Sequence, residues 1–321
     1  MKAGWNLIVH SLKVFGKYPV LVLPLLIVWA VYAPVVLYTK YVFPWNNYDP
    51  SARLAVSFIL IFIFSFTILM SCGVMLELIQ QIEGGEKISI SKALDELLAK
   101  DIGRILPLSL VWAIMWFLLS ILQALLSKSR KGNDDGGYSA EQAAETLAGY
   151  GGFSFSAAFF KALGKGIRMI IFLMLPAICW EDLSFFKSAK KGIFVLRKHP
   201  IEFATGYALT YAAAIIVFLP PAIMFKLGTG SHGNPPLFLF TDHIWYGVII
   251  YIGLAWSFCM YIEQMFSATL FLWHLKWENA VEAARSQGHP LPQFQDIPQP
   301  SLLDDINDLA KSGFQEGTII R

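Results

Sequence analysis

The chain has 321 residues, of which 56% are hydrophobic, 15% aromatic and only 15% charged, and its mean hydropathy is +0.54. A soluble domain carries roughly 25% charged residues to cover its surface, so an ordinary water-soluble globule is excluded and lipid is expected to face much of this chain. The formal net charge of +2 is too small to indicate a nucleic-acid partner.

A membrane span needs about 20 mostly apolar residues to cross roughly 30 Å of hydrocarbon. Five runs meet that requirement: Pro19–Tyr38, Leu54–Leu76, Ile105–Leu126, Ala204–Phe225 and Ile244–Trp273. The first exceeds the apolar core of about 7–15 residues of a signal peptide and is expected to be a permanent span. Tyr18, Tyr38, Trp45, Trp245, Tyr246, Trp273 and Trp277 mark span ends, as interfacial aromatics do.

One further run is ambiguous. Its purely apolar part, Met169–Trp180, covers 12 residues, about 18 Å of helix, which is too short to cross. Extended back to Phe153 it is long enough, but it then takes in Lys161, Lys165 and Arg168. Loop charge favours crossing. With six spans, sixteen Lys and Arg fall in inner segments and six in outer loops, and both termini lie inside. Without the crossing, the five cations from Lys187 to Lys198 fall outside, against the positive-inside tendency. The sequence therefore predicts an all-α, six-span protein of the bacterial cytoplasmic membrane.

Three segments before the first, third and fifth spans read as short amphipathic helices in the interface plane. Trp5, Ile8, Val9, Leu12 and Phe15 share one face of the first. Ile90, Ala93, Leu94, Leu97 and Leu98 share one face of the second. In the third, Phe185, Phe186, Ala189, Ile193 and Leu196 oppose Lys187, Lys190, Lys191, Arg197 and Lys198, a membrane-surface set suited to anionic lipid. Surface helix followed by transmembrane hairpin suggests a threefold repeat over 1–81, 82–180 and 181–277 within a single transmembrane domain. A polar tail, 278–321, follows, with a short helix expected over 301–309, and it reads as a docking segment or a frayed end. A short helix is also expected over 139–147 in the longest outer loop.

The motifs KYPVLVLP, GEKISISKAL, LPAICWEDLSFFKSAKKG and SATLFLWHLKWENAVEAARSQGHPLPQF occur in that order. In this the chain resembles an uncharacterised family of polytopic prokaryotic membrane proteins, a domain of unknown function, over about residues 1–295. The resemblance implies the fold and brings no substrate. The three cations before Met169 depart from the family pattern.

Lys161, Lys165 and Arg168 recur at i, i+4 and i+7 on one helix face. Lys161 can snorkel to the headgroups, whereas Arg168 sits near mid-membrane, where a cation usually faces a partner, a bundle interior or water. Glu263 is the matching acidic residue at depth and the candidate partner. Lys161, Lys165, Arg168 and Glu263 are the candidate site for an anion or lipid headgroup, with Arg168 as bidentate donor. A carrier needs Arg168 beside a polar cavity, whereas a scaffold allows Glu263 and apolar packing to plug it.

The histidines are scattered, and Cys72, Cys179 and Cys259 lie in apolar runs without metal-ligand spacing and are expected to be free thiols. No HExxH, nucleophile elbow or phosphate-binding glycine loop occurs, so no enzyme, cofactor or metal is expected. Two functions remain. One is binding or passage of a small anion or anionic lipid. The other is a membrane-organising adaptor that uses its basic surface helices to hold anionic lipid and a protein partner, with the C-terminal tail as the candidate contact for a protein partner or a second copy of the chain.

Overall fold

The computed structural model describes residues 2–130, 155–229 and 242–302. The chain is all-helical, 86% helix, with no strand among the described residues. The helices in chain order are α1 (Lys2–Lys17), α2 (Leu23–Tyr41), α3 (Pro50–Glu83), α4 (Ile90–Lys100), α5 (Ile102–Arg130), α6 (Phe155–Cys179), α7 (Phe185–Lys198), α8 (Pro200–Thr229) and α9 (Asp242–Ser286). The helices expected over 139–147 and 301–309 fall outside the described residues, apart from positions 301 and 302.

Six of these helices are long and apolar enough to cross a membrane: α2 with its 3-10 lead, α3, α5, α6, α8 and α9. The fold is that of a multi-pass helical membrane protein. The ambiguous run is one continuous helix of 25 residues, so its cations lie inside a long helix and not in a loop before a short one. Helix α9 is longer than its apolar run implies, at 45 residues, because the mixed polar and apolar segment from Lys276 to Ser286 continues the helix.

Each short helix leads directly into a long one. Gly85, at φ +68°, makes the left-handed turn that ends the α3 connection. The Ser89 hydroxyl accepts from the Lys92 amide at 3.3 Å and caps α4. Gln81 fixes that cap from α3, because its Oε1 accepts from the Ser89 amide at 2.9 Å. Between α6 and α7, Asp182 adopts φ +52°, a conformation that Asp tolerates better than most residues. These junctions gather at one end of the bundle, hereafter the short-helix end. There the C-terminal parts of α3 and α6 meet the start of α5, since ligand-type atoms of Glu77, Asp101 and Cys179 lie within 4.8 Å of one another. On the α9 side, the Tyr261 hydroxyl donates to the Ser11 carbonyl of α1 at 3.1 Å.

Burial separates the six long helices into two groups. The apolar windows of α3, α6 and α9 are 56%, 61% and 56% buried, whereas those of α2, α5 and α8 are 28%, 28% and 11% buried. The first three therefore form the interior and the others the periphery. Met75, Leu76, Phe172, Leu175, Phe266 and Phe271 of the inner three are fully buried. Close approach of the peripheral helices depends on small residues. A Cβ on Gly206 of α8 would collide with the Phe266 ring, and one on Gly253 of α9 would collide with Trp29 of α2.

Candidate functional site

The site forms where α6 crosses α9. Arg168 is the fourteenth residue of α6, near its midpoint. Its Nε and Nη2 donate to the Glu263 carboxylate at 2.8 and 3.0 Å, the bidentate geometry that a guanidinium favours. Lys165, one turn earlier, brings its Nζ to 3.2 Å from Glu263 Oε1, but that Nζ is buried and makes no hydrogen bond. It sits instead 5.3 Å from the ring centroids of both Tyr207 and Tyr211 of α8, within cation–π range. The Tyr207 hydroxyl donates to the Ala162 carbonyl at 2.8 Å and so ties α8 to α6 beside the lysine. Lys161 lies on the same helix, but its side chain is outside the described residues.

Exposure ranks the three charged groups. The Lys165 and Glu263 side chains are 7% and 3% exposed, whereas that of Arg168 is 27% exposed. Arg168 owes this exposure to a cavity of about 400 Å³ bounded by α3, α5, α6, α8 and α9, which Lys165, Arg168 and Glu263 all line. Its walls are aromatic: Phe64 packs against Trp116 and Trp256 at 5.8 and 6.0 Å, and Trp112 stacks on Trp116 at 6.1 Å. Ser120 and Gln123, towards the end of the bundle opposite the short helices, add further polar groups to the lining. Two cations and one carboxylate leave one net positive charge on a largely apolar chamber. Cys259 lines the same cavity half-buried, and Cys72 and Cys179 are buried free thiols.

A second polar assembly lies at the short-helix end, and sequence reasoning did not find it. His199, between α7 and α8, and His274 of α9 are buried, with His199 Nε2 2.9 Å from His274 Nδ1. His274 Nε2 lies 3.1 Å from Glu278 Oε1. If that edge carries the proton, His274 Nδ1 accepts from His199. Lys191 stands 3.5 Å from Glu278 and donates to Glu181 Oε1 at 2.7 Å. Lys191 thus turns inward, unlike Lys187, Lys190, Arg197 and Lys198, which stay exposed. The one available signal was the i, i+4 spacing of His274 and Glu278; the approach of His199 is a tertiary contact with no local trace. Burial lowers the pKa of His199 to about 3, helped by the neighbouring His274 and Lys198. Burial also raises Glu181, against the opposing pull of Lys191.

The tail closes over this assembly. Phe294 stacks on the His199 ring with centroids 3.6 Å apart. Trp273 and Trp277 donate from their indole nitrogens to the carbonyls of Ile297 and Pro292 at 3.0 and 3.1 Å. The described part of the tail, to Leu302, is therefore docked on the bundle. Beside it, Arg104 donates through Nη1 to Asp101 and Asp182 at 2.9 and 2.8 Å. Burial raises the pKa of Asp101 to about 6, with Arg104 opposing. Glu77, Asp101 and Cys179 are the one described group whose spacing could hold a metal ion, although Arg104 already occupies Asp101. No family model, curated protein or solved structure significantly matches the chain.

Proposed function

We propose that this protein is a non-enzymatic membrane protein that binds a small anion or an anionic headgroup at Lys161, Lys165, Arg168 and Glu263, or passes it through the bundle. One observation carries the reading. Glu263 pairs Arg168 without sealing it off, and the buried Lys165 Nζ stands 3.2 Å from the same carboxylate without a well-formed hydrogen bond, at the wall of a cavity. A plug that served stability alone would balance the charge and fill the space. The chain belongs, on this reading, in a bacterial cytoplasmic membrane with both termini inside. The test is the thermal stability of detergent-purified protein titrated with sulfate, phosphate, acetate and phosphatidylglycerol. At least one should raise the melting temperature of the wild type and not that of Lys165→Met; no shift with any of them would refute the reading.

A second reading, a membrane-organising adaptor, is favoured by α7. Its protein-facing side is small, with Ser188, Gly192 and Val195 buried, while Phe186 and Ile193 are 81% and 41% exposed beside the exposed lysines. That pattern supports a helix lying in the interface on anionic lipid. The order of short helix, peripheral helix and inner helix, met three times along the chain, supports the threefold repeat. Flotation of the Leu183–Lys198 peptide with liposomes tests the first point: equal weak binding with and without anionic lipid would count against it.

A further inference from the structure

We propose that the cavity selects a monoanion carried on an apolar, ring-sized body, and that Glu263 is the residue that sets the single charge. The inference rests on the anion-binding reading above and narrows it to a ligand class.

Charge is the first argument. Lys165 and Arg168 contribute two positive charges and Glu263 removes one, and all three line the cavity. Among the described residues, the other helices turn only weakly acidic groups towards this cluster, Cys72 of α3 and Tyr207 and Tyr211 of α8, besides Cys259 on α9 itself. Helix α5 brings Trp112, Trp116, Ser120 and Gln123, none of which ionises. The cluster can therefore neutralise one negative charge. A dianion would leave an unbalanced charge in a desolvated site, which costs several kcal/mol in an interior of low dielectric.

The donors make the second argument. Glu263 occupies Arg168 Nε and Nη2, which leaves Nη1 with no acceptor among the described residues. The Lys165 ammonium has three donors and only the ion pair with Glu263 Oε1 at 3.2 Å, without a well-formed hydrogen bond, to occupy them. Together they offer donors to one head group beside Glu263 without breaking the existing pair.

Shape supplies the third. The rest of the wall is apolar and aromatic, with Phe64 against Trp116 and Trp256, and Trp112 against Trp116. At about 400 Å³ the cavity is in the range of small-molecule sites, which run from about 300 to 1,000 Å³. A bare hydrated ion would leave those rings without a partner, whereas a flat or branched apolar body would cover them. A soluble aryl or acyl acid and a singly charged lipid share this chemistry.

The experiment uses the full chain in phosphatidylcholine nanodiscs, with binding followed by calorimetry and by quenching of tryptophan fluorescence. The probes are naphthalene-1-sulfonate, naphthalene-1,5-disulfonate, methanesulfonate and naphthalene-1-methanol, the sulfonates being ionised at every working pH. The wild type should bind the monosulfonate at least about tenfold more tightly than each of the other three. E263Q, which raises the cluster to two net positive charges, should reverse the preference towards the disulfonate. Adding phosphatidylglycerol to the nanodisc assigns the source: displacement of the probe indicates a lipid occupant, and its retention a soluble one.

Equal affinity of the wild type for mono- and disulfonate, or for methanesulfonate and naphthalenesulfonate, would overturn the inference while leaving anion binding intact. That comparison needs no variant, so it stands even if E263Q does not fold. No binding of any of the three sulfonates, together with no stabilisation by any anion or anionic lipid, would remove the anion-binding reading itself.

Discussion

Arg168 and Glu263 lie 95 residues apart in the chain and share two hydrogen bonds of 2.8 and 3.0 Å near the middle of the bundle. Lys165 makes the arrangement asymmetric, because it stands 3.2 Å from the same carboxylate.

That asymmetry gives the first prediction. Glu263→Gln leaves the buried Lys165 and the half-buried Arg168 without a counter-charge and should cost about 3 kcal/mol, at the low end for broken buried pairs. Arg168→Gln leaves Lys165 to balance Glu263 and should cost less. The double variant should be more stable than the sum of the single losses by about 1–3 kcal/mol. Thermal or denaturant unfolding in detergent measures all three, and strictly additive losses would show that the pair is not coupled.

The short-helix end should titrate in two opposing ways. His199 has a pKa of about 3 in the fold against about 6.5 unfolded. Between those values the unfolded chain binds more protons, so the stability of neutral His199 is complete above about pH 6.5. It is lost as pH falls towards 3, by up to about 1.4 kcal/mol per pH unit. Asp101 has the opposite sign. Its folded pKa is about 6 against about 3.9 unfolded, so its contribution is complete below about pH 4 and lost as pH rises through 6. Melting temperatures from pH 4 to 7 should therefore fall more steeply with acid in Asp101→Asn than in the wild type. In His199→Gln the acid loss should shrink or reverse; identical profiles for all three proteins would refute the assignment.

Helix contacts predict a graded glycine series. Gly206→Ala meets the Phe266 ring and Gly253→Ala meets Trp29, both well inside van der Waals distance, while a Cβ on Gly164 finds its nearest atom, of Leu119, at 3.9 Å. The first two should destabilise by about 1–3 kcal/mol through overpacking. Gly164→Ala should be neutral or slightly stabilising, since alanine is the better helix former. Melting temperatures of the three variants test the order, and a Gly206→Ala protein as stable as the wild type would contradict the packing described.

Removing the tail after His289 should alter the histidine pair. Phe294 would no longer cover the His199 ring, and Trp273 and Trp277 would lose their acceptors on Ile297 and Pro292. Water would then reach His199, and its pKa should move up towards 6.5. The acid-dependent loss of stability attributed to His199 should shrink accordingly, and indole fluorescence should shift to the red. An unchanged pH profile would mean that the tail does not seal the site.

Much of the fold was legible because a bilayer makes strong local demands. Twenty apolar residues must form a helix there, and loop charge was enough to turn the run containing Lys165 and Arg168 into a span. Depth along a helix follows from simple counting, which is how Glu263 could be set opposite Arg168. What could not be read was which side chains turn inward across helices. Lys191 has the spacing of a solvated face, yet it meets Glu181 and Glu278 because α7 lies against the end of α6 and near α9. His199 and His274 looked scattered because a separation of 75 positions in the chain hides their contact. The Pro-rich tail carries no periodic signal, and its docking depends on two indole donors, the Phe294 ring and the buried Leu302.

Helix α9 links the two polar regions mechanically. Glu263 and His274 are eleven residues apart on it, about 16.5 Å and within about 20° of the same stripe. No glycine or proline interrupts the segment between them, so nothing in its sequence offers a hinge. A twist or axial slip imposed at the carboxylate reaches the imidazole at nearly full amplitude. The helix is a drive shaft, with the Arg168–Glu263 pair at one station and the tail clasp at the other.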